Sequence, residues 1–185
     1  MTFYNGEYED GNWKKDKFIS GKVFYRYNNG NYYKGDISNG FKIKGEYHFK
    51  NGNYYKGPFL RGNFSGNGEF YFKNGDYYKG QFLNNNFSGK GKKYFKNGDF
   101  EEGTFKKDNF IEGQKKITYS NESYNGGWKE GQKHGYGINK INGVTYKGNF
   151  LNGKRHGNFE VIYSNGKIDN IEYEYGEKKS KCIFF

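Results

Sequence analysis

Phe70-Tyr71-Phe72 leads into Asn74-Gly75, and Tyr78-Lys-Gly80-Gln-Phe82 leads away from it. Rings alternating with other residues on both sides of an Asn-Gly dipeptide predict a β-hairpin. The pattern returns as HFKNGNYYKGPF at 48–59, YNNGNYYKGDI at 27–37, KYFKNGDFEEGTF at 93–105 and INGVTYKGNF at 141–150. Such repetition has to be resolved before any motif is read, because a repeat generates motif matches by itself. Anchored on the glycine of Gly-x-Phe/Trp, repeats fall at Gly11, Gly35, Gly57, Gly80, Gly103, Gly126 and Gly148, with Ile171 in the eighth place and steps of 22 to 24 residues. Two residues after each anchor stand Trp13, Ile37, Phe59, Phe82, Phe105, Trp128, Phe150 and Tyr173. Two residues before it stand Tyr33, Tyr55, Tyr78, Tyr124 and Tyr146, with Glu9, Glu101 and Asp169 as exceptions. A single array over residues 1–185 accounts for nearly the whole chain, with the last repeat incomplete and Tyr4–Tyr8 a leading half-repeat.

Two hairpin registers are open. With Asn74-Gly75 alone as the loop, Phe70 and Phe72 face away from Tyr78 and Phe82. With the three-residue loop Lys73–Gly75, Phe72 pairs with Asp76, Phe70 with Tyr78 and Gly68 with Gly80. The second register is preferred, because it gathers the rings on one face, as a half-buried sheet requires. It also sets glycine against glycine, leaving a gap that a ring from a neighbouring hairpin can fill. One hairpin cannot bury a face alone. The expected fold is therefore all-β, an elongated single-layer antiparallel β-meander of stacked hairpins, at roughly 10 Å per repeat. Its expected aromatic ladder is Trp13, Phe59, Phe82, Phe105, Trp128, Phe150 and Tyr173, with Tyr33, Tyr55, Tyr78, Tyr124 and Tyr146.

Further glycines complete the period: Gly40, Gly62, Gly131, Gly153 and Gly176 five residues after an anchor, then Gly66-x-Gly68, Gly89-x-Gly91 and Gly135-x-Gly137. A period of about 23 residues built as Tyr-x-Gly-x-Trp/Phe, then Gly, then Gly-x-Gly resembles the MORN repeat (membrane occupation and recognition nexus). The best matches are Tyr124–Gly137 and Tyr146–Gly157, and the resemblance spans residues 4–185. It implies a non-catalytic scaffold that binds protein partners in cytoskeletal, ciliary or membrane-associated assemblies, on the cytoplasmic side. Repeats one and five depart from it by an inserted residue, at Phe18–Gly21 and Phe110–Gly113, and a local bulge is expected at each.

Composition narrows the choice of partner. Tyr and Phe supply most of the apolar material, at 22% aromatic against 32% hydrophobic, which speaks against disorder. The 31 basic and 20 acidic residues leave a formal charge of +11. Lysine pairs at Lys92-Lys93, Lys106-Lys107, Lys115-Lys116 and Lys178-Lys179 are candidate contacts for an anionic partner, and a phospholipid surface is the alternative to a protein. Nucleic acid is disfavoured, since the rings are committed to the fold and only Arg26, Arg61 and Arg155 are arginines. No signal peptide or membrane span is evident. The lone cysteine, Cys182, fits a reducing compartment. Gly148–Lys154 resembles a phosphate loop but is followed by Arg155 where Ser or Thr belongs. His134 and His156 recur one repeat apart, too few for a metal site. No catalytic set, cofactor or metal is expected. An end of the sheet is a candidate homodimer contact, and Ile183-Phe184-Phe185 is a candidate cap or interface.

Overall fold

The computed structural model describes Met1 and residues 6–179. Among these residues there is no helix, and all the strands pair antiparallel. Two compact units divide the chain near residues 97–110. The first contains β1 (Tyr8–Lys14), β2 (Lys17–Arg26), β3 (Tyr32–Ser38), β4 (Phe41–His48), β5 (Tyr54–Leu60), β6 (Asn63–Phe64), β7 (Gly66–Tyr71), β8 (Tyr77–Leu83) and β9 (Asn86–Tyr94), and residues 105–109 pack with it. The second takes most of β10 (Phe100–Lys106) and β11 (Asn109–Thr118), then β12 (Glu122–Lys129), β13 (Gln132–Ile141), β14 (Val144–Leu151), β15 (Lys154–Ile162), β16 (Ile168–Glu174) and β17 (Glu177–Lys178). Within each unit, strands pair with their neighbours in sequence, as a meander of hairpins does.

Two kinds of turn alternate. At Asn74-Gly75 the loop has three residues: Phe72 N donates to Asp76 O at 2.9 Å, and Gly75 N to Phe72 O at 3.0 Å. Phe70 faces Tyr78 and Gly68 faces Gly80, the register preferred from the sequence. Gly75 sits at φ +95°, open to glycine and costly for other residues. At the opposite end, two-residue turns such as Asn39-Gly40 and Asn152-Gly153 place both central residues at positive φ, which matches the twist of the strands they join. Asn142-Gly143 belongs to this second kind, with Ile141 facing Val144. The step from Gly126 to Gly148 is 22 residues, so the turn shortens by one and the rings stay on one face.

The glycines align in rows across strands: Gly35, Gly45 and Gly57; Gly68, Gly80 and Gly91; Gly126, Gly137 and Gly148. The rings of Tyr33, Tyr55, Tyr78 and Tyr124 each lie over the anchor glycine of their own strand, two residues on, and over the first glycine of the next hairpin, so that Gly68 is covered by a ring from the neighbouring hairpin, as expected, and Gly80 by Tyr78 of its own strand. A Cβ on Gly68 would lie 2.6 Å from Tyr55 Oη, and one on Gly137 would lie 2.5 Å from Tyr124 Oη. The next repeat also supplies an edge contact to each ring. Phe59 meets Tyr33 at 5.4 Å, Phe82 meets Tyr55 at 4.9 Å, Phe105 meets Tyr78 at 5.0 Å, and Phe150 meets Tyr124 at 5.4 Å. Tyr55 and Tyr78 also stack flat on Phe64 and Phe87, both at 3.9 Å. Tyr33, Tyr55 and Tyr78 are thereby wholly buried. Each such ring contributes roughly 2–3 kcal/mol.

The bulge expected in repeat one is present, and it is not peculiar to that repeat. A register shift beside the anchor occurs at Asn12/Trp13, and equally at Asp36/Ile37, Gly80/Phe82, Gly126/Trp128 and Gly148/Phe150. What distinguishes repeats one and five is the pair Gly11–Gly21 and the pair Gly103–Gly113, where Gly21, Gly103 and Gly113 take φ between +141° and +157°.

Gly91→Ala is expected to lower stability by about 1–3 kcal/mol through overpacking against Tyr78. In a Tyr78→Ala background the same change is expected to cost about 1 kcal/mol less. A double-mutant cycle from urea melts measures this, and additive effects would contradict the packing.

Candidate functional site

The ladder residues divide by burial. Phe59, Phe82, Phe105, Phe150, Tyr173, Tyr33, Tyr55, Tyr78 and Tyr124 are buried. Trp13 is 40% exposed and meets Phe18 edge-on at 5.2 Å. Trp128 is half-buried beneath Lys115 Nζ, 4.6 Å from its ring. Tyr146 is also half-buried, because Gly148 faces Phe159 where other repeats have a glycine, and the Phe159 ring fills the space. The Arg155 guanidinium lies over Tyr146 at 4.3 Å and Tyr173 at 4.5 Å instead.

The pleat sends successive strand residues to opposite faces, so the lysine pairs are divided. Lys92 faces Lys79 across β8 and β9, while Lys93 lies over Phe95 at 5.0 Å and Phe72 at 5.5 Å. Lys115 pairs with Glu101 at 2.7 Å, both side chains mostly buried, and Lys116 Nζ donates to Gly98 O at 3.3 Å. These two carry the interruption at repeat five: Glu101 stands where other repeats have the tyrosine, and Lys115 faces Gly126, where other repeats set a second glycine. Lys106 and Lys107 are exposed, Lys107 in a two-residue turn at φ +48°. Lys178 is exposed opposite Tyr173, and Lys179 pairs with Glu172 at 2.8 Å.

Other cations replace rings in the core. Phe64 faces Phe59 and Phe87 faces Phe82; at the same place Lys42 faces Ile37, Lys133 faces Trp128 and Arg155 faces Phe150. Lys42 Nζ lies 4.6, 4.9 and 5.2 Å from the rings of Tyr47, Tyr27 and Tyr33, and burial lowers its pKa. Lys133 Nζ lies 5.0 Å from the Tyr124 ring. Cation–π attraction thus stands in for ring stacking, and part of the basic excess is structural. The sequence signal for this was position, five residues after each anchor aromatic.

The other candidate motifs are absorbed by the repeat. Gly148–Lys154 is the end of β14 and its turn. His156 packs against Tyr175 at 4.9 Å. Among the described residues no group of three His, Cys, Asp or Glu is placed to hold a metal. Cys182 and Ile183-Phe184-Phe185 lie outside the described residues.

The outer face of the first unit carries features the aromatic count concealed. Tyr32, His48, Tyr54, Tyr71, Tyr77 and Tyr94 stack flat from strand to strand, at 4.3, 4.9, 4.5, 5.7 and 4.4 Å. Two residues further along each strand runs a second row, Lys34, Glu46, Lys56, Glu69, Lys79 and Lys92, whose charge alternates in sign from β3 to β8 and ceases to alternate at β9, where Lys92 faces Lys79. Lys56 pairs with Glu46 at 3.2 Å and Lys79 with Glu69 at 3.0 Å, while Lys34 has no ion pair among the described residues. His48 and Lys56 hold the Glu46 carboxyl below its usual range. Tyr71 Oη donates to Glu69 at 2.7 Å, which lowers the carboxyl and pushes the phenol up to about 12. Beside this row lies a shallow groove floored by Gly35, Gly45, Gly57, Gly68 and Gly80, with Asp36, Lys44, Pro58 and Asn67 on its far side. Beyond it Phe41, Leu60 and Leu83 are exposed, Leu60 by 62% and Leu83 by 57%. A regular charged wall, a backbone floor and an apolar margin make this the candidate site. It was missed because Tyr54 and Tyr55 read alike in sequence, although the pleat puts one on each face.

The MORN repeat family model matches residues 55–77, 78–100, 124–138 and 146–158. The chain belongs to the MORN-repeat proteins, whose repeat is a non-catalytic module for protein or membrane interaction. Among curated proteins, no sequence matches it.

Burial pushes Tyr55, Tyr78 and Tyr124 up to about 12. In the unfolded chain tyrosine ionises near pH 10, so the folded state holds more protons between the two values. Stability is expected to be full below pH 10 and to fall as pH rises toward 12. Urea midpoints measured against pH check this, and replacing the three tyrosines by phenylalanine is expected to flatten the fall. A midpoint unchanged between pH 9 and pH 11.5 would contradict it.

Proposed function

We propose that the protein is a non-catalytic scaffold that holds a protein partner on the outer face of its first unit, within a cytoskeletal, ciliary or membrane-associated assembly of the cytoplasm. The observation that carries this reading is the regular surface along Lys34, Glu46, Lys56, Glu69 and Lys79, beside exposed Phe41, Leu60 and Leu83. Isolated exposed apolar residues are ordinary, but a margin of them beside a groove marks an interaction surface. The opposite face has its rings turned into the core and offers less for a partner to contact.

An anionic phospholipid surface is the second reading. It draws on exposed lysines next to Leu60 and Leu83, which are suited to interfacial insertion. The carboxylates of Glu46 and Glu69 oppose it, because they repeat as regularly as the lysines. Affinity capture from the native cell tests the first reading when run beside Leu60→Asp/Leu83→Asp. A partner retained by wild type and lost from the variant is the expected result, and equal retention would contradict it. Vesicle co-sedimentation tests the second. Salt-sensitive binding to anionic but not zwitterionic vesicles, lost in the same variant, would replace the protein partner with lipid.

A further inference from the structure

Resting on the protein-partner reading, we infer that the outer face of the first unit is shaped for an amphipathic α-helix laid across the strands. The helix would carry charges of alternating sign along one flank and apolar residues along the other.

The argument is one of spacing. Lys34, Glu46, Lys56, Glu69 and Lys79 stand on successive strands of the meander, and adjacent strands lie about 4.8 Å apart. A complementary ligand must therefore present a charge of the opposite sign about every 4.8 Å along one side. On an α-helix, residues spaced alternately three and four apart recur on one side about every 5.25 Å, at 1.5 Å per residue. A tilt of roughly 25° to the row brings a seven-residue step of about 10.5 Å onto the two-strand repeat of about 9.6 Å. A β-strand repeats each face about every 6.8 Å. A polyproline helix repeats each face about every 9.3 Å and has no residue at the half-step. Neither can answer a sign change at every strand from β3 to β8. Nucleic acid and anionic lipid present one sign only, and would meet Glu46 and Glu69 unfavourably.

The width agrees. From the charged row to the apolar margin, as from Lys56 to Leu60, is four residues of strand, about 13 Å. A helix with its side chains is about 10–12 Å across. Between them lie glycine backbone and the side chains of Asp36, Lys44, Pro58, Asn67 and Gln81, over which a cylinder would rest. Leu60 and Leu83 stand one repeat apart, the distance between apolar positions one heptad apart, and Phe41 extends the margin on β4. In the existing pairs Lys56 and Lys79 are solvent-exposed and can turn to another carboxylate, while Glu46 and Glu69 are also held by His48 and Tyr71.

The test is selection from two display libraries of 28-residue peptides with identical residue frequencies, one in a helix-forming format and one interrupted by proline every third residue. The target is the full chain. A second target inverts the row: Lys34→Glu, Glu46→Lys, Lys56→Glu, Glu69→Lys and Lys79→Glu, with circular dichroism and melting to establish that it folds as wild type does. Enrichment is expected from the helical format, with acidic and basic residues alternating at spacings of three and four and apolar residues on the far flank. Synthetic versions of these peptides are expected to bind the inverted target at least tenfold more weakly, and their charge-reversed counterparts to bind it as wild type bound the originals. Enrichment of proline-spaced peptides overturns the helix and leaves the protein-partner reading in place. Helical binders indifferent to the inversion overturn the charge register. No enrichment from either format, with anionic vesicles bound, overturns both inferences.

Discussion

A phenol ring lying over two facing glycines is the contact on which the rest of this structure depends. Tyr78 covers Gly80 and Gly91, Tyr55 covers Gly57 and Gly68, and Tyr124 covers Gly126 and Gly137. The hydroxyl of each donates to the carbonyl three residues on: Pro58 at 2.8 Å, Gln81 at 3.1 Å and Gly127 at 2.7 Å. The carbonyls of Gln81 and Gly127 lie inside the register shift that interrupts the ladder, and that of Pro58 also accepts from Ser65 N at 3.1 Å. One residue type thus meets two needs, filling the space over the glycines and supplying a donor. The next repeat then closes the edge of the ring with its own phenylalanine, which makes the array cohere repeat by repeat.

Substitutions along the ladder follow from the same contact. Where the stacking phenylalanine is replaced, a cation takes the ring face, as Lys42, Lys133 and Arg155 do. Where the tyrosine itself is replaced, as at Glu101, an ion pair with Lys115 occupies the place of ring and glycine, roofed by Trp128. Breaking so enclosed a pair by removing one partner leaves an uncompensated charge, so the two are held as a unit. Because the core face satisfies itself, the outer face is left to surface chemistry, and a strict period imposes its own spacing on whatever charges stand there.

Much of this was legible. Asn74-Gly75 between alternating rings specified turn, register and face, because a slip of one residue would have turned Phe70 and Phe72 away from Tyr78. The anchor period located Tyr33, Tyr55, Tyr78 and Tyr124 as the buried rings. Each ring leans both ways, over the anchor of its own strand and over the first glycine of the next hairpin, and only the second contact was expected, since sequence spacing does not say which way a ring leans. Tyr146 illustrates a second limit: its half-burial depends on Phe159 on the facing strand, which no local pattern around Tyr146 encodes. The lysine doublets read as patches because adjacency in sequence was taken for adjacency in space, whereas the pleat parts Lys92 from Lys93. The stacked outer row was concealed for the same reason, with Tyr32, Tyr54 and Tyr77 each beside a core tyrosine.

The ring-over-glycine contact can be observed directly in solution. Protons held against the face of an aromatic ring resonate well upfield of their usual position. In protein labelled with ¹³C-glycine, the Hα signals of Gly57, Gly68, Gly80, Gly91, Gly126 and Gly137 are expected upfield of the turn glycines. Tyr78→Leu is expected to return Gly80 and Gly91 to the usual range while leaving Gly126 and Gly137 in place. Unshifted Hα signals at all six glycines, or shifts at Gly80 and Gly91 that survive the loss of Tyr78, would contradict the account.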